Sequence, residues 1–299
     1  MLLTTLMALW MASAAGWAAP AGAAKSTGAQ TGASANTQAA PLTAQQIMTR
    51  VAANQDRSDN LRSQYVYKQH IHVVSRKTNK KVMCEESVDY LVIPTPSGIE
   101  KQPKLIAGRY WAKGHYVDFD TDKKIDHEGV DTELVHDFVH DLADDKSKDG
   151  LARDLFPLTS KEQQDYQFRL IGTETLNGRP VYHLAFGPKD KSEYTWAGEA
   201  LIDATDFEPV NVFTRLSKKL PLVVRALLVS LPGVGFNVDY ARQPDGVWFP
   251  ASFGTEFRIR VLGFFARDLT VSLQNSSFEH THVKTRITPD MPASARPMP

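Results

Sequence analysis

Most of this chain consists of short runs in which apolar and polar side chains alternate, and this period of two constrains the fold more than any other feature. In residues 65–74, for example, Tyr65, Tyr67, Ile71 and Val73 fall on one face. The predicted strands cover residues 65–74, 82–93, 109–119, 166–172, 181–186, 199–203, 210–216, 236–242, 247–252, 253–261 and 266–278. Consecutive antiparallel strands of this kind predict a curved meander or barrel with one dry face and one wet face.

Three segments carry a helical pattern instead. Residues 43–61 begin with Thr43 and Gln46, whose spacing fits a capping box, and continue with apolar residues at helical spacing. Residues 131–145 are the second predicted helix. Residues 220–231 are the third, which is apolar nearly all round, so that it must be buried on most sides.

The third predicted helix is too short to cross a membrane. Ten residues between Pro221 and Pro232 span about 15 Å at ~1.5 Å each, whereas the hydrocarbon core of a bilayer is ~30 Å thick. We expect this helix to cover the mouth of the curved sheet, either as a permanent plug or as a lid over a ligand cavity. A membrane-touching role is a third alternative.

The two ends of the sequence differ in composition from its middle. Residues 1–24 contain no charged side chain and combine an apolar stretch with small residues, which is typical of a cleaved export signal. We predict a signal peptide over residues 1–23, a flexible linker over 24–42, one domain over 43–285 and a disordered tail over 286–299. The predicted location is the periplasm, with no transmembrane segment in the mature chain.

Charge and cysteine content exclude several functional classes. Lys plus Arg and Asp plus Glu each number 34, so the formal net charge is zero, and nucleic-acid binding is not expected. Cys84 is the only cysteine, which excludes an internal disulfide and any multi-cysteine zinc site. We interpret Cys84 as a small core residue. No cofactor is expected, and the chain is expected to be a monomer.

Four segments carry a resemblance to a known family. Residues 172–186 read GTETLNGRPVYHLAF and are followed by GEALIDATD at 198–206, while DGVWFP at 245–250 precedes the last long strands and NSSF at 275–278. Together with the leader, the first helix and the tyrosine-rich hairpin, they resemble the LolA/LolB-like outer-membrane lipoprotein-sorting proteins, whose fold is shared with RseB. The resemblance implies an unclosed antiparallel β-barrel of about eleven strands, mainly β in class, with covering helices.

The resemblance also implies a function, namely a periplasmic carrier or binding protein for lipoprotein acyl chains or another hydrophobic ligand. Its partners would be an acylated lipoprotein or lipid and envelope proteins that act as donor or acceptor. From the residues themselves, we expect the ligand or its lid to involve apolar side chains of the third helix and of three strands. These candidates are Leu222, Val223, Leu227, Leu228, Leu231, Phe236, Tyr182, Leu184, Phe186, Phe257 and Ile259.

Two alternatives stay open at this point. One is an envelope-stress sensor or interaction module of the same fold, similar to RseB. The other is a metal-dependent hydrolase that uses His136 and His140, which lie four residues apart on the second predicted helix and could bind one metal ion. An ordinary amphipathic helix explains the same pattern, and no catalytic residue is predicted otherwise.

Overall fold

The alternating runs form strands in the computed structural model, which describes residues 41–95, 98–119, 129–144, 156–190, 196–216, 235–261 and 265–281. Two α-helices are described, α1 (Ala44–Arg62) and α2 (Val130–Asp144), together with a single 3₁₀ turn at Glu162–Asp165. The described strands are β1 (Tyr65–Arg76), β2 (Val82–Thr95), β3 (Gly98–Ala112), β4 (His115–Asp118), β5 (Tyr166–Leu176), β6 (Arg179–Pro188), β7 (Trp196–Asp203), β8 (Pro209–Leu216), β9 (Gly235–Arg242), β10 (Trp248–Val261) and β11 (Phe265–His280).

All eleven described strands belong to one antiparallel sheet. Their order is β4-β3-β2-β1-β11-β10-β9-β8-β7-β6-β5. The described strands leave the sheet open, because β4 and β5 stand at its two edges and do not pair with each other. This arrangement confirms the predicted fold class, an unclosed antiparallel barrel with helices over it.

Both helices pack on one face of this sheet, which we call the inner face. α1 contacts β5 and β10, and α2 contacts β1, β2 and β3. Residues that are two apart on a strand point to the same face, so the inner positions of β1 include Ile71 and Val73, which are fully buried. Each helix therefore covers one half of the sheet.

The first helix begins as its sequence predicts. Thr43 Oγ1 accepts a hydrogen bond from the backbone N–H of Gln46 at 3.2 Å, and Gln46 Oε1 accepts one from the N–H of Thr43 at 2.9 Å. This reciprocal pair is the capping box, which satisfies backbone donors that the first turn leaves open. Ile47, Met48 and Val51 then form the fully buried stripe of α1.

Two strand predictions are wrong in detail. Residues 109–119 were expected to be one strand, but they contain a hairpin, because Lys113 and Gly114 adopt positive φ angles of 48° and 91° that turn the chain between β3 and β4. The segments 247–252 and 253–261, which were expected to be two strands, fall almost entirely in the single strand β10, Trp248–Val261. A register shift between Pro250 and Ser252 takes up the irregularity that the sequence pattern shows.

Several predictions fall on residues outside the described ranges. The leader and most of the linker lie within residues 1–40, the third predicted helix lies within 217–234, and the tail lies within 282–299. Among the described helices, none is long and apolar enough to span a bilayer.

Candidate hydrophobic binding site

The inner face of the sheet is an almost continuous apolar wall. Three of the predicted ligand residues lie on it along β6, where Leu184 is fully buried, Phe186 is buried and Tyr182 is half-buried. β6 pairs with β7 so that Leu184 lies opposite Ala200 and Phe186 opposite Gly198. The small neighbours leave room above the wall for the residues that pack on it.

Predicted residues on β9 and β10 extend the same wall. The Phe257 ring lies 5.6 Å, centroid to centroid, from the ring of Phe138 on α2, and Ile259 is buried beside it. Phe236 stacks on Phe253 at 5.3 Å. These positions therefore share the face on which the helices pack, which the strand pattern alone did not identify.

Trp196 is a wall residue that sequence reasoning missed. Its ring packs edge-on against Phe236 at a centroid distance of 5.0 Å, and it remains half-buried. Trp196 begins β7, three residues before the strand predicted from the sequence, so it was not assigned to a face. Trp196, Phe236 and Phe253 form an aromatic row, and the first two stand at the start of β7 and β9.

The apolar wall continues to both open edges of the sheet, where several of its side chains are only partly buried. At one edge β5 presents Tyr166, Phe168 and Leu170, and each is only partly buried against the core. At the other edge the corresponding partly buried residues lie on β2, β3 and the residue that follows β4, namely Tyr90, Ile106, Tyr110 and Phe119. Partly exposed apolar surface on an inner face offers contact area to a hydrophobic ligand.

A separate cavity of about 430 Å³ lies against β2, β3 and β4. Its lining mixes the polar residues His72, Glu85, Arg109 and Asp118 with the apolar residues Ile106 and Phe119. Arg109 Nε donates to Glu85 Oε1 at 2.6 Å. The polar lining suits water or a small polar group better than a hydrocarbon chain, so this cavity is distinct from the aromatic row.

One carboxylate is buried in the apolar wall. Glu86 is 2% exposed, and its Oε2 lies 3.3 Å from Nδ1 of His136 on α2. The hydrogen bond to Glu86 raises the pKa of His136, against the opposing effect of burial. The first turn of α2 is tied to the sheet as well, because Arg267 Nε donates to Asp131 Oδ1 at 2.5 Å and Arg267 Nη2 donates to Asp131 Oδ2 at 2.7 Å.

The two histidines proposed as metal ligands have different surroundings in the structure. His136 faces Glu86, and the His136 and His140 rings are 6.4 Å apart between centroids. The part of the chain that the structure describes contains no group of three or more histidine, cysteine or acidic side chains arranged to hold a metal ion. Cys84 is buried, and burial raises the pKa of its thiol to about 12, consistent with a core role.

A buried polar cluster fixes α1 to the turn between β7 and β8. Glu208 accepts hydrogen bonds from Gln55 Nε2 and Ser58 Oγ, each at 2.6 Å, and Arg62 Nη2 donates to Gln55 Oε1 at 2.6 Å. Burial raises the pKa of Glu208, while Ser58 and Arg62 act in the opposite direction. Sequence reasoning missed this cluster, because its members are about 150 residues apart in the chain.

The turn itself is held by the acidic residues that precede Glu208. Asp203 Oδ1 accepts hydrogen bonds from the backbone N–H groups of Thr205 and Asp206, a common arrangement for an aspartate at a turn. Asp206 Oδ2 accepts from Arg242 and from the indole of Trp248. The C-terminal half of α1 thus has a fixed position on the sheet.

Comparison with known proteins yields distant structural likenesses. No family model matches the chain, and no curated protein matches it. Similar solved structures include a domain named for outer membrane lipoprotein sorting from Vibrio parahaemolyticus, which is 12% identical, with 78% of this chain and 92% of that chain covered and a TM-score of 0.34. A LolA superfamily protein from Nitrosomonas europaea is 11% identical, with coverages of 80% and 94% and a TM-score of 0.32.

The MucA/MucB complex of Pseudomonas aeruginosa also contains a similar chain, which is 11% identical, with coverages of 77% and 99% and a TM-score of 0.23. The similar structures therefore include proteins of the lipoprotein-sorting kind that the sequence resembles. These likenesses are distant, and the fold assignment given above rests on the order and pairing of the strands themselves.

Proposed function

We propose that this chain is a periplasmic binding protein that carries acyl chains or another hydrophobic ligand between its sheet and its helical covers, and that its role is binding rather than catalysis. The observation that supports the proposal most directly is the partly exposed apolar surface at both open edges of the inner face. A fully closed core would bury such side chains, whereas a binding groove needs them accessible.

The expected gain in free energy is sufficient for this role. Removing one CH₂ group from water contributes ~0.8 kcal/mol, so a chain of about fifteen such groups contributes roughly 12 kcal/mol before the cost of ordering it. Only an apolar lining can realise that gain. The aromatic row of Trp196, Phe236 and Phe253 supplies such a lining where β7 and β9 begin.

The proposal is tested by titration with a fluorescent fatty-acid probe. Phe236→Asn places a polar amide on the inner face, and we expect it to weaken probe binding by about tenfold or more, because an amide buried without partners is costly. Phe213→Asn is the matched control, since Phe213 lies on the outer face of the adjacent strand β8 and is 46% exposed. The control should bind the probe as the wild type does.

Two results would contradict the proposal. The first is a wild-type protein that takes up no probe and copurifies with no lipid detectable by mass spectrometry. The second is equal loss of probe binding in both variants, which would place the probe on the outer surface rather than against the inner wall.

A further inference from the structure

Two neighbouring turns at one end of the sheet carry lysines at their tips. The turn 77–81 joins β1 to β2, and the turn 113–114 joins β3 to β4. Because these strands are antiparallel neighbours, both turns lie at the same end. Lys77, Lys80 and Lys113 are exposed there. We call these two turns, with Trp111 and Tyr116 beside them, the lysine-tipped end.

The backbone holds these lysines at the tips. The N–H of Lys77 donates to the carbonyl of Lys81, and the N–H of Lys80 donates to the carbonyl of Lys77, both at 2.8 Å. Lys80 and Lys113 adopt positive φ angles of 69° and 48°, a conformation usually left to glycine or asparagine. Two lysines thus occupy the positions in their turns where lysine is least favoured by conformation.

An aromatic pair connects the two turns. Trp111 and Tyr116 lie opposite each other on β3 and β4, with ring centroids 5.0 Å apart in an edge-on arrangement. The Lys81 ammonium lies 3.2 Å from the centre of the Trp111 ring, and the Tyr116 hydroxyl donates to the carbonyl of Val82. Tyr116 is exposed and Trp111 is half-buried. Both rings lie on the outer face of the sheet, which the helices do not cover.

The acidic groups near this end do not neutralise it. Asp268 accepts from both nitrogens of the Arg258 fork as well as lying 3.3 Å from Lys80, and Glu85 is paired with Arg109. Within the described part of the chain, neither Lys77 nor Lys113 has a carboxylate partner within 4 Å. The chain as a whole has no net charge, so this excess of positive charge is a local property of one end.

We propose that the lysine-tipped end docks on an anionic lipid bilayer. Lysines near an anionic membrane surface each contribute to attraction, and Trp and Tyr side chains favour the level of the headgroups, where one part of the ring is apolar and another is wet. Charge complementarity and the adjacent aromatic pair thus point to the same partner. The antiparallel order places the starts of β7 and β9, with Trp196 and Phe236, at this same end of the sheet.

Docking would therefore turn the aromatic row toward the membrane. The use of that orientation for ligand transfer rests on the proposed function, whereas docking itself does not. Probe uptake in solution tests the first and vesicle binding tests the second, so the failure of either one is recognised separately.

The test is sedimentation of the purified full chain with vesicles of phosphatidylcholine, with and without phosphatidylglycerol. We expect binding that increases with phosphatidylglycerol content and decreases as salt is raised from 50 to about 300 mM. The triple variant Lys77→Gln, Lys80→Gln and Lys113→Gln should lose about tenfold or more of the affinity for phosphatidylglycerol vesicles. The control Arg57→Gln, Lys68→Gln and Lys104→Gln removes the same charge from exposed positions elsewhere and should lose less than about threefold.

Brominated phosphatidylglycerol gives an independent measurement on the wild-type sequence. It should quench tryptophan fluorescence, and Trp111→Phe should measurably reduce that quenching. Equal binding to neutral and anionic vesicles, equal losses in the two triple variants, or quenching that Trp111→Phe leaves unchanged would each overturn the proposal. Strong binding to heparin without binding to phosphatidylglycerol vesicles would also overturn it, because the partner would then be a soluble polyanion.

Discussion

At the scale of single residues, the contact between His136 and Glu86 makes the stability of the fold depend on pH. The hydrogen bond to Glu86 raises the pKa of His136 above its ordinary value of 6.5. A group whose folded-state pKa is raised contributes stability that is fully present below its unfolded pKa. That contribution is lost as the pH increases through the raised value.

We therefore predict that His136→Gln destabilises the protein most near pH 5.5, and that the difference in unfolding free energy from the wild type decreases above pH 6.5. Urea unfolding at several pH values between 5.5 and 9 measures this difference. His140→Gln, one turn further along α2 on an exposed position, is the control. A difference that stays constant across this range for His136→Gln would show that the pair contributes by packing alone.

At the scale of elements, the approach of β7 to β8 depends on a glycine. A Cβ atom on Gly198 would lie 1.9 Å from the carbonyl oxygen of Phe213, a backbone atom of the neighbouring strand. Because no side-chain movement can relieve that overlap, β7 and β8 would have to separate at this point. Trp196 stands two residues away on the same face.

Gly198→Ala is accordingly expected to destabilise the fold by at least ~2 kcal/mol. Gly254→Ala is the matched control, since Gly254 lies within β10 and a Cβ there would meet no atom within 4 Å. It should change stability by about 0.5 kcal/mol or less. Thermal melts of both variants give the comparison, and similar melting temperatures would contradict it.

The elements also show what could be predicted from the sequence. Local signals sufficed for the capping box of Thr43 and Gln46 and for most of the strands, because periodicity and turn chemistry act within a few residues. The first half of β3 was missed, since Pro103 and Lys104 interrupt the apolar alternation in the part of β3 with which β4 does not pair. Such residues are typical of protected sheet edges.

The candidate site was only partly predictable. Alternation suggested Tyr182, Leu184, Phe186, Phe236, Phe257 and Ile259 as candidates for contact with a hydrophobic ligand, and all six lie on the inner face. Alternation does not show which face the helices cover, because it is the same on both faces of a strand. The cluster around Glu208 depends on contacts between α1 and a turn far along the chain, and no local pattern records such a contact.

At the scale of the whole molecule, the middle of the sheet is built from strands that are far apart in sequence. β1 pairs with β2 on one side and with β11 on the other, and β11 pairs in turn with β10. Without β11, none of the described strands β1 to β4 pairs with any of the described strands β5 to β10. The sheet should therefore unfold as one cooperative unit.

A chain that ends after residue 264 is predicted not to fold, because it lacks β11, whereas a chain that ends after residue 285 should keep the wild-type melting temperature. Circular dichroism and a single melting transition distinguish the two. A stable fold without β11, or two separate transitions in the wild type, would show that the halves of the sheet are independent.

The same central pairing has a consequence for biosynthesis. While the ribosome is still translating the later part of the message, β1 has its hairpin partner β2, but its other edge has no strand to pair with. That edge belongs to a strand rich in apolar residues that are buried in the folded protein. An open apolar edge is prone to associate with other chains. The nascent polypeptide therefore has to be shielded, by a holding chaperone or by continued transit in an extended state, until β11 has been translated.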